Sequence, residues 1–205
     1  MDLHVPEGPV RSVKDFLLHI LIVTIGILIA IGLEQLVEAR HRAHLAHDAV
    51  EGFSRELTSD RGDLSETLSA IPKMREKITA EIANLSAPGP HRIDYPGVHF
   101  NVMSTSSWDT AMATQALAEL TYDQAHRYAE AYDSLRVVAE VEREGLALWE
   151  DLRSFGDDAG GLAPEQRRAL IERLRRYETF AVVLESAGQN ALTKCNEALG
   201  EKPHA

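Results

Sequence analysis

The stretch FLLHILIVTIGILIAIGLEQ, residues 16–35, decides how the rest of this sequence is interpreted. Eighteen consecutive residues, from Phe16 to Leu33, carry no charged side chain, and Glu34 closes the run. A bilayer core about 30 Å thick needs roughly 20 apolar residues of helix. The stretch therefore predicts a transmembrane anchor over 16–35, preceded by an N-terminal tail over 1–15.

The residues that follow this stretch indicate that it is retained rather than cleaved. A secretory signal has a shorter apolar core followed by a small-residue cleavage site. Here LEQLVEARHR continues a helical pattern and contains no such site. No second apolar run of comparable length follows, so we expect a single span whose partner is the lipid bilayer. A cleaved signal and a buried core helix remain the alternatives.

A seven-residue apolar repeat follows the span and predicts a long stalk helix over 36–86. We call these positions the heptad seam: Leu36, Ala43, Val50, Leu57, Leu64, Ile71, Ile78 and Leu85. The partner positions are mixed in character: Ala39, Ala46, Phe53, Asp60, Thr67, Met74 and Glu81. That mixture favours packing in a bundle over a two-stranded zipper. Pro72 lacks a backbone donor, so we expect the helix to kink or end near Ile71.

The remainder of the chain predicts further helices joined by one irregular loop over 87–106, which holds three prolines and two glycines. Within it, RIDYPGVHFNVM is expected to form a short strand pair or to lie across the bundle. Residues 107–200 supply the rest of the bundle, and 201–205 form a tail. The predicted fold is all-α: one N-terminal transmembrane helix continues into a long stalk helix, followed by an up-down antiparallel helical bundle.

Capping signals locate the starts of the later helices. Ser106 with Asp109 matches a capping box and predicts a short helix from 107 to about 120. Thr121 with Gln124 matches another and predicts a long helix from 122 to about 155. Its expected buried residues are Tyr128, Tyr132, Leu135, Val138, Leu146, Trp149 and Leu152. Pro164 suits the first turn of the last helix. The apolar face expected there comprises Leu170, Leu174, Tyr177, Ala181, Leu184, Gly188, Ala191, Cys195 and Ala198.

Charge and motif content exclude several classes of protein. The chain has a net charge of −11, which argues against binding nucleic acid. Its single cysteine, Cys195, allows no intramolecular disulfide. The sequence contains no HExxH, P-loop, GxSxG or dinucleotide-binding glycine pattern. We therefore expect a protein that is not an enzyme and that needs no cofactor.

The densest group of ionisable residues lies just after the span, in ARHRAHLAHDAVE. His44, His47, Asp48 and Glu51 are spaced three or four apart and can share one helix face. Imidazole and carboxylate ligands suit zinc or iron. The simpler interpretation is a solvated helix face, and metal binding and a pH-responsive contact are the alternatives.

Two further groups are candidates for binding or packing. Ser106 and Ser107 lie at a predicted helix N-terminus, where partial positive charge can hold an anion. The alternative is that their hydroxyls satisfy backbone donors. Gly26 and Ala30, with Gly32 nearby, form a small-residue face on which two spans can approach closely.

The heptad seam also offers a surface for self-association. Its first residues, Leu36, Ala43, Val50 and Leu57, are expected to form a parallel dimer or a higher homo-oligomer. The contrary view is that the later helices of the same chain use the whole seam.

The segment LLHILIVTIGILIAIGLEQLVEARHRAHLAHDAVEGFSREL, residues 17–57, resembles the start of a family of uncharacterised single-span bacterial inner-membrane proteins. SSWDTAMATQALAEL, residues 106–120, resembles a second region of the same family. The resemblance implies a signal-anchor helix followed by a C-terminal helical domain. The Asn-Trp pair that the family carries at the membrane exit is replaced here by Glu34 and Gln35.

Orientation and function follow from these observations as expectations. Arg11 and Lys14 before the span nearly balance Arg40 and Arg42 after it. The resemblance favours a cytoplasmic amino terminus and a periplasmic bundle in the inner membrane. We expect a non-enzymatic binding, scaffolding or accessory subunit of a membrane complex. The alternatives are a ligand-sensing bundle and a metal-dependent enzyme that uses the helix face over 41–51.

Overall fold

A computed structural model describes residues 13–87, 89–97, 101 and 103–200 of the chain. The helices are α1 (Val13–Ser86), α2 (Ser106–Ala113), α3 (Tyr122–Arg153) and α4 (Pro164–Ala198), with single 3-10 turns at Ala116–Glu119 and Ala159–Gly161. The described residues form no strand, only an isolated bridge between Arg92 and Asp158. The all-α prediction is therefore confirmed. The predicted tail over 201–205 and residues 1–12 lie outside the described residues.

The first helix continues without interruption from the apolar stretch into the bundle. It is 74 residues long, which corresponds to roughly 110 Å. The predicted end near Ile71 is wrong, because α1 passes through Pro72 and ends at Ser86. Pro72 faces solvent, where water can bond to the carbonyl that proline leaves unpaired. Ile71 and Met74 beside it are buried, so packing holds the helix together. A kink at Pro72 stays a prediction.

The N-terminal part of α1 is long and apolar enough to cross a membrane. Its most apolar 18 residues have a mean hydropathy of 2.8, and none of them is buried within the chain. Elsewhere in the described ranges no helix has this character. The described residues therefore contain one candidate span, and its apolar residues are not buried against other described residues.

The bundle consists of the C-terminal half of α1 packed with α3 and α4. The helices α3 and α4 form an antiparallel hairpin, and α1 packs against α4. Phe53 lies 4.7 Å from Tyr128 between ring centroids, so the start of α3 lies beside the part of α1 nearer the span. Arg61 contacts Asn196 near the end of α4. Both α1 and α3 therefore run away from the span, and α4 returns antiparallel to both.

The parallel arrangement of α1 and α3 has a simple cause. The described residues between 87 and 105, which we call the returning segment, run back along α1 before α2 begins. Ser104 N bonds to the Asp60 carboxylate at 3.3 Å, and Asp94 N bonds to the Glu81 carboxylate at 3.2 Å. The segment thus runs back along α1 toward the span, and α3 then runs away from the span beside α1.

The core confirms most of the predicted helix faces. Every apolar residue expected on the face of α4 is buried. On α3, Leu146 was expected inside but is 41% exposed, so that assignment is wrong. Gly145 takes the inward position instead, because the ring of Phe180 lies where its side chain would be. A Cβ at Gly145 would lie 2.1 Å from Phe180 Cζ.

The helix starts match the capping signals in one case of two. Thr121 and Gln124 form the expected reciprocal box, with Gln124 N donating to Thr121 Oγ1 at 3.3 Å. The short helix instead has Thr105 as its N-cap and begins at Ser106. It ends at Ala113 rather than near 120, because Gln115 adopts a left-handed conformation with φ of 60°.

Candidate functional site

The candidate metal ligands are on the solvated surface of α1. His44, His47, Asp48 and Glu51 are all exposed. His44 Nε2 lies 3.6 Å from Asp48 Oδ2. Among the residues that the structure describes, no three His, Cys, Asp or Glu side chains are placed to hold one metal ion. The four residues are therefore not assembled into a metal site.

The small residues of the span present an open face. A Cβ built at Gly26 or Gly32 meets no other atom within 4 Å, and Ala30 is exposed. Within the part of the chain that the structure describes, nothing packs on this side of α1. Its use as a helix-packing face stays a prediction.

The proposed oligomer seam divides into an exposed part and a buried part. Leu36 is 52% exposed, and Ala43 is exposed as well. Val50 is half-buried against the core, and Leu57 is fully buried within its own bundle. Leu57 is therefore not available for contact with a second copy, and its assignment to the oligomer seam is wrong. From Leu57 onward the heptad seam is buried in the bundle of its own chain.

The donors expected to hold an anion are bound to a carboxylate of the same chain. Ser106 Oγ donates to Glu56 at 2.8 Å, Ser107 N at 3.0 Å, and Ser104 Oγ at 2.9 Å. Burial alone would raise the pKa of Glu56, but the bonds from Ser106, Ser107 and Ser104 outweigh it and lower that pKa. Glu56 thus fixes the N-terminus of α2 to α1 as a charged internal anion. Capture of a free anion by Ser106 and Ser107 stays a prediction and requires displacement of this carboxylate.

Removing the Glu56 carboxylate is expected to loosen α2. We expect Glu56→Ala to lower the free energy of unfolding by about 1–3 kcal/mol, because it removes the hydrogen bonds that Ser104, Ser106 and Ser107 donate to a charged, half-buried carboxylate. The pKa of Glu56 is lowered, so its contribution is present above the unfolded-state pKa and is lost as the pH falls. Urea unfolding and amide exchange at Ser107 measure the effect. Glu51→Ala, an exposed change on the same helix, is the control. An equal loss of stability in the two variants would contradict the role of Glu56 in holding α2 to α1.

Three polar residues of the heptad partner positions are buried, and each contacts the returning segment. Asp60, Thr67 and Glu81 are 1–3% exposed. Their partners in that segment are Ser104 N for Asp60, Asn101 Nδ2 for Thr67, and Asp94 N and His91 Nε2 for Glu81. In the seven-residue repeat these positions stand out only as weak apolar matches. Asp60, Thr67 and Glu81 are seven and fourteen residues apart, so they lie on one side of α1. That regular spacing of polar residues is the sequence pattern that indicates a polar segment packed along this side.

Two buried carboxylates keep an oxygen without a hydrogen bond to any described residue. Burial raises the pKa of Asp60 to about 6, with the charges of Glu56 and Asp63 adding to it. Burial raises the pKa of Glu142 to about 7. Burial raises the pKa of the Tyr132 hydroxyl, and the neighbouring carboxylates of Glu56 and Asp60 raise it further.

The sole cysteine does not provide a reactive group. The Cys195 thiol is fully buried, and burial together with the charge of Asp60 raises its pKa to about 12. It is therefore protonated at neutral pH and packs in the core as a small apolar residue.

An open groove lies at the end of the bundle farthest from the span. We call it the tip groove; it measures about 570 Å³ and is lined by Arg92, Ile93, Asp94, Tyr95, Pro96, Gly97, Trp149, Arg153 and Asp157. Trp149 Nε1 donates to the Pro96 carbonyl at 3.1 Å. The Arg153 guanidinium lies 4.8 Å above the Tyr95 ring and bonds to Asp157 at 2.8 Å. The tip groove thus has fixed aromatic walls.

Arg92, the second arginine of the tip groove, differs from Arg153 in its ion pairing. Arg92 is exposed, and among the described residues its side chain forms no ion pair with an acidic residue. Its backbone is held by the bridge to Asp158. An accessible guanidinium beside Tyr95 and Trp149 can bind a carboxylate whose apolar neighbour packs on the rings.

Comparison of the chain with protein families, with curated proteins and with solved structures finds no match. The geometry described above is therefore the basis for assigning a function. It combines one apolar candidate span, one continuous helix and a groove at the far end of the bundle.

Proposed function

We propose that this chain is a single-pass, membrane-anchored binding or scaffolding subunit without enzymatic activity. The observation that carries the proposal is α1, in which the apolar span and the bundle core belong to one helix. From Glu34 to Phe53 the helix rises roughly 28 Å. An unbroken helix of that length acts as a semi-rigid spacer, so the bundle is held at a set height above the bilayer.

The tip groove is the contact surface in this proposal. Tyr, Trp and Arg are the residues that contribute most to binding at protein interfaces. Tyr95 and Trp149 are already fixed by contacts with Gly156 and Pro96, so little side-chain entropy is lost on binding. The partner is a protein segment of a membrane complex that presents an acidic side chain next to an apolar one.

The compartment is also part of the proposal. We assign the anchor to a bacterial inner membrane with the bundle in the periplasm, on the basis of the resemblance and of the ordinary signal-anchor plan. Alkaline phosphatase fused after Ala205 is expected to be active, and green fluorescent protein fused there to stay dark. The reverse pair of results would place the bundle in the cytoplasm.

Reversing the charge of Arg92 tests the binding role. We expect Arg92→Glu to reduce at least tenfold the amount of specific membrane proteins that co-purify with the full chain in mild detergent. The reason is that an acidic partner group would then meet a like charge. Arg127→Glu is the matched control, because Arg127 is an exposed arginine near the start of α3. Equal recovery of the partners with both variants would contradict the tip groove as the contact surface.

A further inference from the structure

We infer that the outer groove between α3 and α4 binds the same groove of a second copy of this chain. This α3–α4 groove measures about 290 Å³ and is lined by Val141, Glu144, Leu148, Arg176, Thr179, Phe180 and Val183. All of these residues belong to α3 or α4, and α4 meets α1 on a different face, where Glu185 pairs with Arg75 and Gly188 packs on Leu68. The inference rests on the proposed membrane anchoring, because a common bilayer brings the copies together.

The groove and its margins are apolar without being covered. Val137 is 56% exposed and Val183 is 47% exposed. Val137, Val141 and Leu148 follow one another at helical spacing on α3, and the ring of Phe180 forms the floor. A hairpin with such a stripe presents two sides of a four-helix arrangement, which a second hairpin can complete.

Charge in the groove is self-complementary. Glu144 lies on the α3 wall and Arg176 on the α4 wall. Neither side chain has an ion pair with another residue that the structure describes. A two-fold axis parallel to the helices brings α3 of one copy beside α4 of the other, as a symmetric contact requires. Glu144 of each copy then faces Arg176 of the other, so two cross-copy ion pairs form at once.

The heights of the two residues fit this arrangement. Gly145 packs directly on Phe180, which sets the level of α3 against that of α4. Arg176 lies about one helical turn, roughly 5.4 Å, beyond Phe180. The long side chains of Glu144 and Arg176 cover that difference.

The membrane favours the same axis. A rotation about an axis parallel to α1 keeps both copies at one height, so both spans can enter the same bilayer. Confinement raises the effective concentration of the second copy and lowers the contact area that a dimer needs. The two stalks are then separated by the α3–α4 hairpins, so Ala43 of one copy is far from Ala43 of the other.

Cross-linking between differently tagged chains tests the contact directly. All chains carry Cys195→Ala; one also carries Val141→Cys and the other Val183→Cys. Under mild oxidation in native membranes we expect a disulfide-linked heterodimer. Thr58→Cys, on the exposed face of α1, replaces either cysteine in the control and should give none. A dimer that forms through Ala43→Cys and not through the groove cysteines would overturn the proposal in favour of the heptad seam.

A charge-swap experiment separates pairing between copies from effects within one copy. We expect Glu144→Arg alone and Arg176→Glu alone to lower the yield of groove cross-link at least fivefold, because each places like charges opposite each other. Co-expression of the two variants should restore the cross-link between them, since both cross-copy pairs become opposite in sign. Unchanged cross-linking in each variant alone would overturn the inference. Failure of the chain to enter the membrane fraction would instead contradict the anchoring proposal.

Discussion

Replacing Leu57 with alanine is expected to lower the free energy of unfolding of the bundle by about 2–5 kcal/mol, the usual cost of emptying a fully buried leucine site. Leu57 belongs to α1 and is completely buried in the core of the bundle. Leu36 occupies the same heptad position three repeats earlier but is 52% exposed. Leu36→Ala should therefore change the free energy of unfolding by no more than about 0.5 kcal/mol.

Comparing the stability losses of Leu36→Ala and Leu57→Ala tests whether the heptad seam is exposed in the stalk and buried only in the bundle. The full chain is unfolded with urea in mild detergent, and the fluorescence of Trp108 and Trp149 is the readout for unfolding of the bundle. Similar losses for Leu36→Ala and Leu57→Ala would mean that the stalk packs as tightly as the core. That result would restore the seam as a continuous association surface.

The periodicity of α1 predicted its helical state but not the place where its burial begins. The same seven-residue repeat covers Leu36 and Leu57, and only the lengths of α3 and α4 determine which of them is buried. Those lengths follow from the Thr121 box and Pro164, which the sequence does reveal. The sequence thus predicts the elements well, whereas the register between them depends on contacts distant along the chain.

The polar network was the part that local patterns could not reveal. Asp60 and Glu81 interrupt an apolar repeat. The repeat by itself shows only that these two positions fit an apolar face poorly, and it does not show that they are buried. They are buried because the returning segment supplies backbone and side-chain donors there. Likewise, Leu146 was placed inside by helical spacing, but the ring of Phe180 requires Gly145 at that contact. In both cases the deciding partner lies many residues away.

Buried acids give the bundle a characteristic dependence on pH. The pKa of Asp60 is raised to about 6 and that of Glu142 to about 7, both mainly by burial. An acid with a raised pKa binds its proton more tightly in the folded state, so these groups stabilise the fold most when protonated. Their contribution is therefore lost as the pH rises from about 4 to 7. Glu56, whose pKa is lowered, acts in the opposite sense at lower pH.

Neutralising the two buried acids should remove this dependence. At pH 8 we expect Asp60→Asn and Glu142→Gln each to raise the free energy of unfolding by about 3 kcal/mol, since each pKa is raised from its ordinary value to about 6 or 7 and one pKa unit corresponds to about 1.36 kcal/mol. At pH 4 each variant should match the wild type, because the acids are then already neutral. Urea unfolding at pH 4, 6 and 8 gives the differences, with the exposed change Glu150→Gln as the control. A stabilisation that is the same at all three pH values would show that packing, and not the buried charge, is responsible.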